Sequence, residues 1–187
     1  MFRRRPPRRP RRSPRPPLPP RIRRALAGAH RAMEDGDYGR AAEIFSEMAD
    51  RAHDRGRFGA GARLALQAAR AHLAADEIEA ALGRARQALN FLIQGGQIRR
   101  MPIALTRMVD ALRERGYETE ADALQREIEG RFSEAGLGLE EPSTGHAELP
   151  AKCPSCGGPL LASEAEWHDR HTAECAYCGS MVKATSR

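Results

Sequence analysis

The chain lacks any hydrophobic run long enough to cross a membrane. A transmembrane helix needs about 20 consecutive apolar residues, and no run of even about 18 occurs in this sequence. Charged residues make up 30% of the 187 positions. The residues that follow Met1 also lack the apolar segment of a secretory signal peptide. We therefore expect a cytoplasmic protein without a membrane span.

Catalytic motifs are also missing. The six histidines are scattered, no serine stands in a nucleophile elbow, and neither a glycine-rich phosphate loop nor a His-Glu-x-x-His sequence occurs. Asp35 and Asp37 look like a fragment of a calcium loop, but the remaining ligands are absent, so a turn between helices with an acidic cap accounts for them. We expect that the protein is not an enzyme.

The chain has few cysteines, and all four lie in two Cys-x-x-Cys pairs: Cys153 with Cys156, and Cys175 with Cys178. Each pair places two thiolates on one tight turn, and two such turns supply the four tetrahedral ligands of a closed structural zinc site. Two disulfides are the alternative, but they would require an oxidising compartment. We predict one structural Zn²⁺ ion bound by the four cysteines, with no thiol left for redox chemistry.

The residues around the cysteines resemble a zinc ribbon. Gly157 and Gly158 follow the first pair and Gly179 follows the second, where a tight turn needs a residue able to take positive φ. The resemblance covers residues 151–184 and implies hairpins around one zinc rather than a particular activity. The predicted strands are 160–161 and 166–168.

Aromatic residues are scarce, at 5% of the chain, and Trp167 is the only tryptophan. It could stack on a nucleic-acid base. A module this small has almost no core, however, and we favour the interpretation that its one large aromatic side chain covers the metal site. His168 and His171 could replace a cysteine as a ligand, but four thiolates already complete the shell, so we expect ordinary surface histidines.

Acidic residues are absent from the first 24 positions, which contain 11 arginines. The whole chain has net charge +6 from 31 Lys+Arg and 25 Asp+Glu, so the remainder has 20 bases against 25 acids, a net −5. Residues 1–20, with eight prolines and eight arginines, predict a disordered arm. Such an arm attracts nucleic-acid phosphates or anionic lipids through charge alone, or is a biased leader without a specific partner.

Residues 21–134 are rich in Ala, Leu, Arg and Glu and predict helices. The pattern around Ala41 recurs around Ala81 and Ala121, at an offset of 40 residues. A fixed period with small residues at matching places is typical of stacked helical hairpins. A plain helical bundle is the alternative, because any antiparallel helix pair favours small residues at its crossings. The predicted helices are 21–35, 37–55, 59–75, 77–94, 102–115 and 118–134.

Gly36, Tyr38, Ala41 and Phe45 resemble the second helix of a tetratricopeptide repeat, although that family has a period of about 34 residues. The resemblance implies a tetratricopeptide-like stack whose first helices line a face that holds peptides or partner helices. On that face, positions one repeat apart form a predicted basic stripe, with Arg107 or Arg113 as an extension. An arginine stripe can clamp carboxylates, although a charged helix face is often only solvated. The predicted partner-binding residues are Arg23, His30, Arg63 and Arg70.

Two functions from different classes follow. The first is a non-enzymatic adaptor, in which helical hairpins bind a protein partner and the zinc ribbon is a second contact module. The second is a nucleic-acid-associated factor, in which the ribbon docks on DNA or RNA while the basic arm neutralises phosphates. The net −5 outside the first 24 residues favours the adaptor.

Residues 135–150, which mix Gly, Pro and acids without periodicity, predict a flexible linker between helices and ribbon.

Overall fold

The computed structural model describes residues 18–96, 102–134, 148–162, 165–169 and 171–184. Most of the arm predicted for 1–20 and of the linker predicted for 135–150 lies outside these ranges. The described chain forms six helices followed by a small antiparallel sheet. This confirms the predicted, mainly α fold with a β module near the C-terminus. Among the described helices, none combines the length and hydrophobicity that crossing a membrane requires.

The six helices begin and end within one residue of the predicted positions. Asp37 caps the second helix as predicted, because its carboxylate accepts a 3.2 Å hydrogen bond from the backbone N–H of Arg40. Pro20 and Pro102 are the first residues of their helices, where a missing N–H costs no hydrogen bond. The helices are α1 (Pro20–Glu34), α2 (Tyr38–Asp54), α3 (Phe58–Ala74), α4 (Ile78–Gln94), α5 (Pro102–Glu114) and α6 (Glu118–Glu134).

Each of the first five helices is followed by a residue with positive φ, at intervals of 20 residues. In the described part of the helical region these residues are Gly36, Gly56, Asp76, Gly96 and Gly116. At the ends of α2, α3 and α5, backbone bonds close the helix as in the Schellman motif. For example, the N–H of Arg57 donates to the carbonyl of Ala52 at 2.9 Å. The repeating unit is therefore one helix with its turn, and the predicted offset of 40 residues spans two units.

Asp76 is the member of this series that is not glycine, with φ 63°. Aspartate tolerates the left-handed region better than most residues do. Its carboxylate accepts a 2.8 Å hydrogen bond from the hydroxyl of Tyr117, and this bond raises the pKa of Tyr117 because it stabilises the protonated phenol. Asp76 lies in the turn between α3 and α4, and Tyr117 lies in the turn between α5 and α6. The bond therefore joins equivalent turns of successive hairpins.

Other contacts also join residues one hairpin apart. The imidazole of His53 shares a 2.9 Å hydrogen bond with the side-chain oxygen of Gln94, and Arg86 donates to the carboxylate of Glu127 at 2.9 Å. Each pair is separated by 41 residues. Equivalent positions of neighbouring hairpins thus lie side by side, so the helices are packed in a stack.

Small residues at matching positions let the helices approach closely. Ala41, Ala81 and Ala121 are fully buried, and Gly61 occupies the equivalent position of α3. A Cβ atom on Gly61 would lie 3.0 Å from the ring of Phe91, nearer than ordinary van der Waals contact. The register of small residues therefore has a packing reason: a larger side chain would push the helices apart.

Helix α3 is the most enclosed element of the stack. Eleven of its 17 residues are buried, and it packs against both α2 and α4. Two of the buried residues, Arg63 and Gln67, are polar. A buried arginine needs a compensating partner. That partner comes from outside the helices.

The C-terminal module comprises the described residues from 148 to 184. Its sheet has the order β1-β2-β3, with antiparallel neighbours. The strands are β1 (Glu166–Asp169), β2 (Thr172–Glu174) and β3 (Met181–Lys183). Trp167 pairs with Ala173, which pairs with Val182, so these three share one face of the sheet. Glu174 pairs with Met181 and lies on the opposite face.

The strand predicted at 160–161 is wrong. That part of the chain makes one isolated bridge, between Lys152 and Pro159, and the N–H of Leu160 donates to the carbonyl of Ala151 at 3.0 Å. The pairing consists of this bond and the bond from Cys153 to Gly158 that closes the tight turn, which is too short for a strand. The strand predicted at 166–168 is present and continues to Asp169.

Candidate metal centre and its contact with the helices

Two turns of matching geometry position the four cysteines. In the first turn, the N–H of Cys153 donates to the carbonyl of Gly158, and the N–H of Gly157 donates back to the carbonyl of Cys153, both at 2.8 Å. The turn that begins at Cys175 has the two equivalent bonds, both at 2.9 Å. Each turn therefore presents its two sulfur atoms from a fixed backbone loop.

The glycines of these turns have different roles. Gly157 has φ 77° and Gly179 has φ 70°, as predicted from their places after the cysteine pairs. Gly158 was predicted to share that role, but it is not among the residues of positive φ. It is a point of close approach instead, because a Cβ atom there would lie 2.5 Å from Nε2 of His30 on α1.

The four sulfur atoms form a compact cluster, all within 4.8 Å of one another. Sγ of Cys153 lies 3.8 Å from that of Cys178, and Sγ of Cys156 lies 3.9 Å from that of Cys175. A disulfide would need about 2.05 Å. Four sulfurs placed about 2.3 Å from one metal ion form a tetrahedron with edges of about 3.8 Å. The cluster therefore has the dimensions of a four-coordinate metal site.

Hydrogen bonding within this cluster favours ionisation of some thiols and disfavours ionisation of others. Side-chain hydrogen bonds, first of all from Cys156, lower the pKa of the Cys153 thiol. Hydrogen bonding to Cys153 raises the pKa of the Cys156 and Cys175 thiols. The Ser180 hydroxyl adds a contact of 3.3 Å to Sγ of Cys153. A bound cation would supply the positive charge that allows all four thiols to ionise, so the donor set fits a metal ion.

Within the described ranges, this is the one group of potential ligands close enough to bind a metal. His171 is exposed, as predicted, and the side chain of His168 lies outside the described residues. Trp167 is half-buried, and its indole N–H donates to the carbonyl of Ala162 at 3.0 Å. That it covers the metal site stays a prediction.

A buried ion pair joins the module to the helices. Nη1 of Arg63 on α3 donates to Oε1 of Glu174 on β2 at 2.7 Å, and the two side chains are 8% and 7% exposed. Removing a charge from water costs several kcal/mol unless an opposite charge and hydrogen bonds compensate it. Arg63 is therefore tolerated inside the stack because a residue of the module neutralises it.

A group of rings forms the second contact. The imidazole of His30 on α1 lies edge-on to Tyr177 of the module, with ring centroids 4.3 Å apart, and edge-on to Phe45 of α2 at 5.9 Å. Burial lowers the pKa of His30 because it disfavours the charged imidazolium. At the rim, the Lys152 ammonium lies 3.7 Å from the Glu34 carboxylate, an exposed pair that contributes little stability.

The predicted basic stripe is not one exposed surface. His30 and Arg63 are buried under the module, Arg70 is half-buried, and Arg23 is exposed. Arg113, a predicted extension, forms an ion pair within its own hairpin. The face formed by α1 and α3, which the resemblance assigned to a partner, is thus covered in part by another segment of the same chain. We call it the α1–α3 face.

Sequence reasoning did not find the residues that make this contact from the module side. Glu174 and Tyr177 lie beside or between cysteines, where every residue is first interpreted in terms of the metal. One local signal was available in Gly158, a second glycine that the turn geometry does not require. It indicates that another part of the molecule approaches the backbone there.

Comparison with protein-family models, curated proteins and solved structures finds no significant match. The function is therefore inferred from the chain's own residues and contacts.

Proposed function

We propose that this protein is a non-enzymatic adaptor that binds a protein partner through its helical hairpins and carries a structural zinc module as a second contact surface. One observation carries the proposal: the α1–α3 face holds a folded segment through an ion pair, Arg63 with Glu174, and a ring contact, His30 with Tyr177. A surface that recognises a carboxylate beside an aromatic ring can recognise the same groups on another protein.

Zinc is the metal that suits the proposed module. Four thiolates from two Cys-x-x-Cys turns form the usual donor set of structural zinc, and the sulfur separations of 3.8 and 3.9 Å match its tetrahedron. Four protein ligands leave no position for water or substrate, so the ion would organise the module rather than catalyse a reaction. The absence of catalysis is part of the proposal.

The first test is metal analysis of the purified chain by inductively coupled plasma mass spectrometry. We expect one zinc per chain and a loss of zinc in Cys153→Ser, with Ser180→Ala as a control that removes a hydroxyl near the sulfurs but no ligand. A chain that binds iron in preference to zinc, or that retains zinc without Cys153, contradicts the proposed module.

The nucleic-acid alternative rests on the 11 arginines of the first 24 residues. Fluorescence anisotropy with labelled DNA and RNA at two salt concentrations separates it from the adaptor. The comparison uses the full chain, a chain that begins at Leu18, which packs on the core, and the Cys153→Ser/Cys156→Ser variant. The adaptor predicts that binding disappears without the arm and at physiological salt. Binding that survives both and requires the module favours the nucleic-acid function.

A further inference from the structure

We propose that Arg63 is a carboxylate-binding position of the α1–α3 face, and that Glu174 occupies it from within the chain when the module has bound its metal. The inference rests on the proposed adaptor function and adds to it a partner chemistry and a means of control. The partner would present an acidic segment. Loss of the metal would release the module and make Arg63 available.

Metal binding and this contact depend on the same few residues. Glu174 immediately precedes Cys175, and Tyr177 lies between Cys175 and Cys178. On the first turn, Gly158 packs against His30 two residues after Cys156. The groups of the module that contact His30 or Arg63 therefore all lie within two residues of a cysteine that would bind the metal. The metal would add to the strand pairing and the turn hydrogen bonds that hold these groups, and its loss would weaken their placement.

The chemistry of the occupant follows from Arg63 itself. Its side chain is 8% exposed, and the guanidinium of an arginine is charged at all physiological pH values. When Glu174 leaves, another carboxylate is the group that replaces both the charge and the 2.7 Å hydrogen bond. A neutral or basic segment would replace neither the negative charge nor the hydrogen bond of Glu174. An acidic peptide is thus the occupant that the site favours.

The experiment uses the full chain and a fluorescein-labelled peptide of ten glutamates, at physiological salt, with and without zinc. Hydrogen exchange measured by mass spectrometry over α1 and α3 reports release of the module independently of any peptide. The variants are Glu174→Gln, Glu174→Gln with Arg63→Gln, and a control, Glu127→Gln. The control removes one carboxylate from the Arg86–Glu127 pair between α4 and α6, which is more exposed than the Arg63–Glu174 pair.

We expect zinc removal or Glu174→Gln to accelerate exchange in α1 and α3 and to raise peptide affinity about tenfold or more. Glu127→Gln should behave like the unmodified chain. The Glu174→Gln/Arg63→Gln chain should lose the gain in affinity, and its remaining signal measures binding by the arginine arm, which all these chains share. Zinc content is measured for each variant, so that release is not confused with loss of the metal.

Two results overturn the inference, and a third case is decided by one more variant. If exchange in α1 and α3 does not change on zinc removal, the metal does not control the face. If exchange accelerates but the peptide binds Glu174→Gln no better than Glu127→Gln, Arg63 is not a carboxylate site, while the adaptor function stands with a partner of other chemistry. If Glu174→Gln loses zinc, the charge-exchanged Arg63→Glu/Glu174→Arg chain decides. That chain restores the ion pair with opposite polarity, so slow hydrogen exchange in α3 supports the inference and fast exchange contradicts it.

Discussion

In the helical stack, fully buried apolar side chains come from every helix, whereas in the C-terminal module most of the deeply buried side chains are cysteines and small apolar residues. The stack can therefore fold on its own core. The module is too small to do so, and a metal ion would replace the core it lacks. The two regions are nevertheless linked, because the stack buries an arginine that the module neutralises. The stack is thus expected to fold without the module, while its buried arginine depends on contact with the module.

The largest expected effect separates the two regions. Cys175→Ser removes one of four ligands, so we expect loss of the metal and unfolding of the module, since structural zinc contributes about 10 kcal/mol or more to such sites. The helices should keep their secondary structure. Zinc analysis and far-UV circular dichroism at 222 nm check this result. A collapse of the helical signal would show that the stack has no independent core.

A substitution in the core of the stack should destabilise the helices and leave the module intact. Leu89 on α4 is 1% exposed. Leu89→Ala leaves a cavity and should lower the free energy of unfolding by about 2–5 kcal/mol, while zinc content stays at one per chain. Chemical denaturation followed at 222 nm measures the loss. If the variant also released the metal, the two regions would not be separable.

A smaller effect is expected at the contact between them. In Gly158→Ala, the new methyl group would lie 2.5 Å from Nε2 of His30, so the module must shift on the helices. We expect a loss of about 1–3 kcal/mol with zinc retained. Gly28→Ala on α1 is the control, because a Cβ there meets no atom within 4 Å. It should be neutral or slightly stabilising. Equal stability of the two variants would contradict the contact.

The smallest effect concerns the turns that repeat along the stack. Asp76 has φ 63°, a conformation that suits glycine and strains alanine. Both Asp76→Gly and Asp76→Ala remove the bond from Tyr117, so their difference isolates the backbone. We expect the alanine variant to be less stable by about 1–2 kcal/mol. Thermal unfolding of the two variants measures that difference, and equal midpoints would argue against this turn geometry.

Local chemistry explains how much of the molecule could be predicted from the sequence. Helix ends follow from Gly, Asp and Pro at fixed places, and the cluster of four cysteines follows from their spacing, so both could be predicted. The recurrence of turns every 20 residues was also available, but Asp76 interrupts the series of glycines and hides it. The short strands β2 and β3 carry too few residues for an alternating pattern to be recognised.

The contact between the regions could not be predicted, because its groups are far apart in the chain. Arg63 and Glu174 are separated by 111 residues. By itself, an arginine on a helix is most simply interpreted as a solvent-exposed charge or as part of a binding stripe. Only the tertiary structure shows that this one is buried and paired. The same applies to His30, whose ring neighbours come from α2 and from the module.

The C-terminal module rests on the α1–α3 face through the contact of Tyr177 with His30. The most direct test is a nuclear Overhauser measurement between the ring protons of Tyr177 and the imidazole protons of His30, whose ring centroids lie 4.3 Å apart. We predict clear cross-peaks in the zinc-loaded chain and their loss when a chelator removes the metal. A zinc-loaded chain that shows no such cross-peaks, with both rings assigned, would contradict the account.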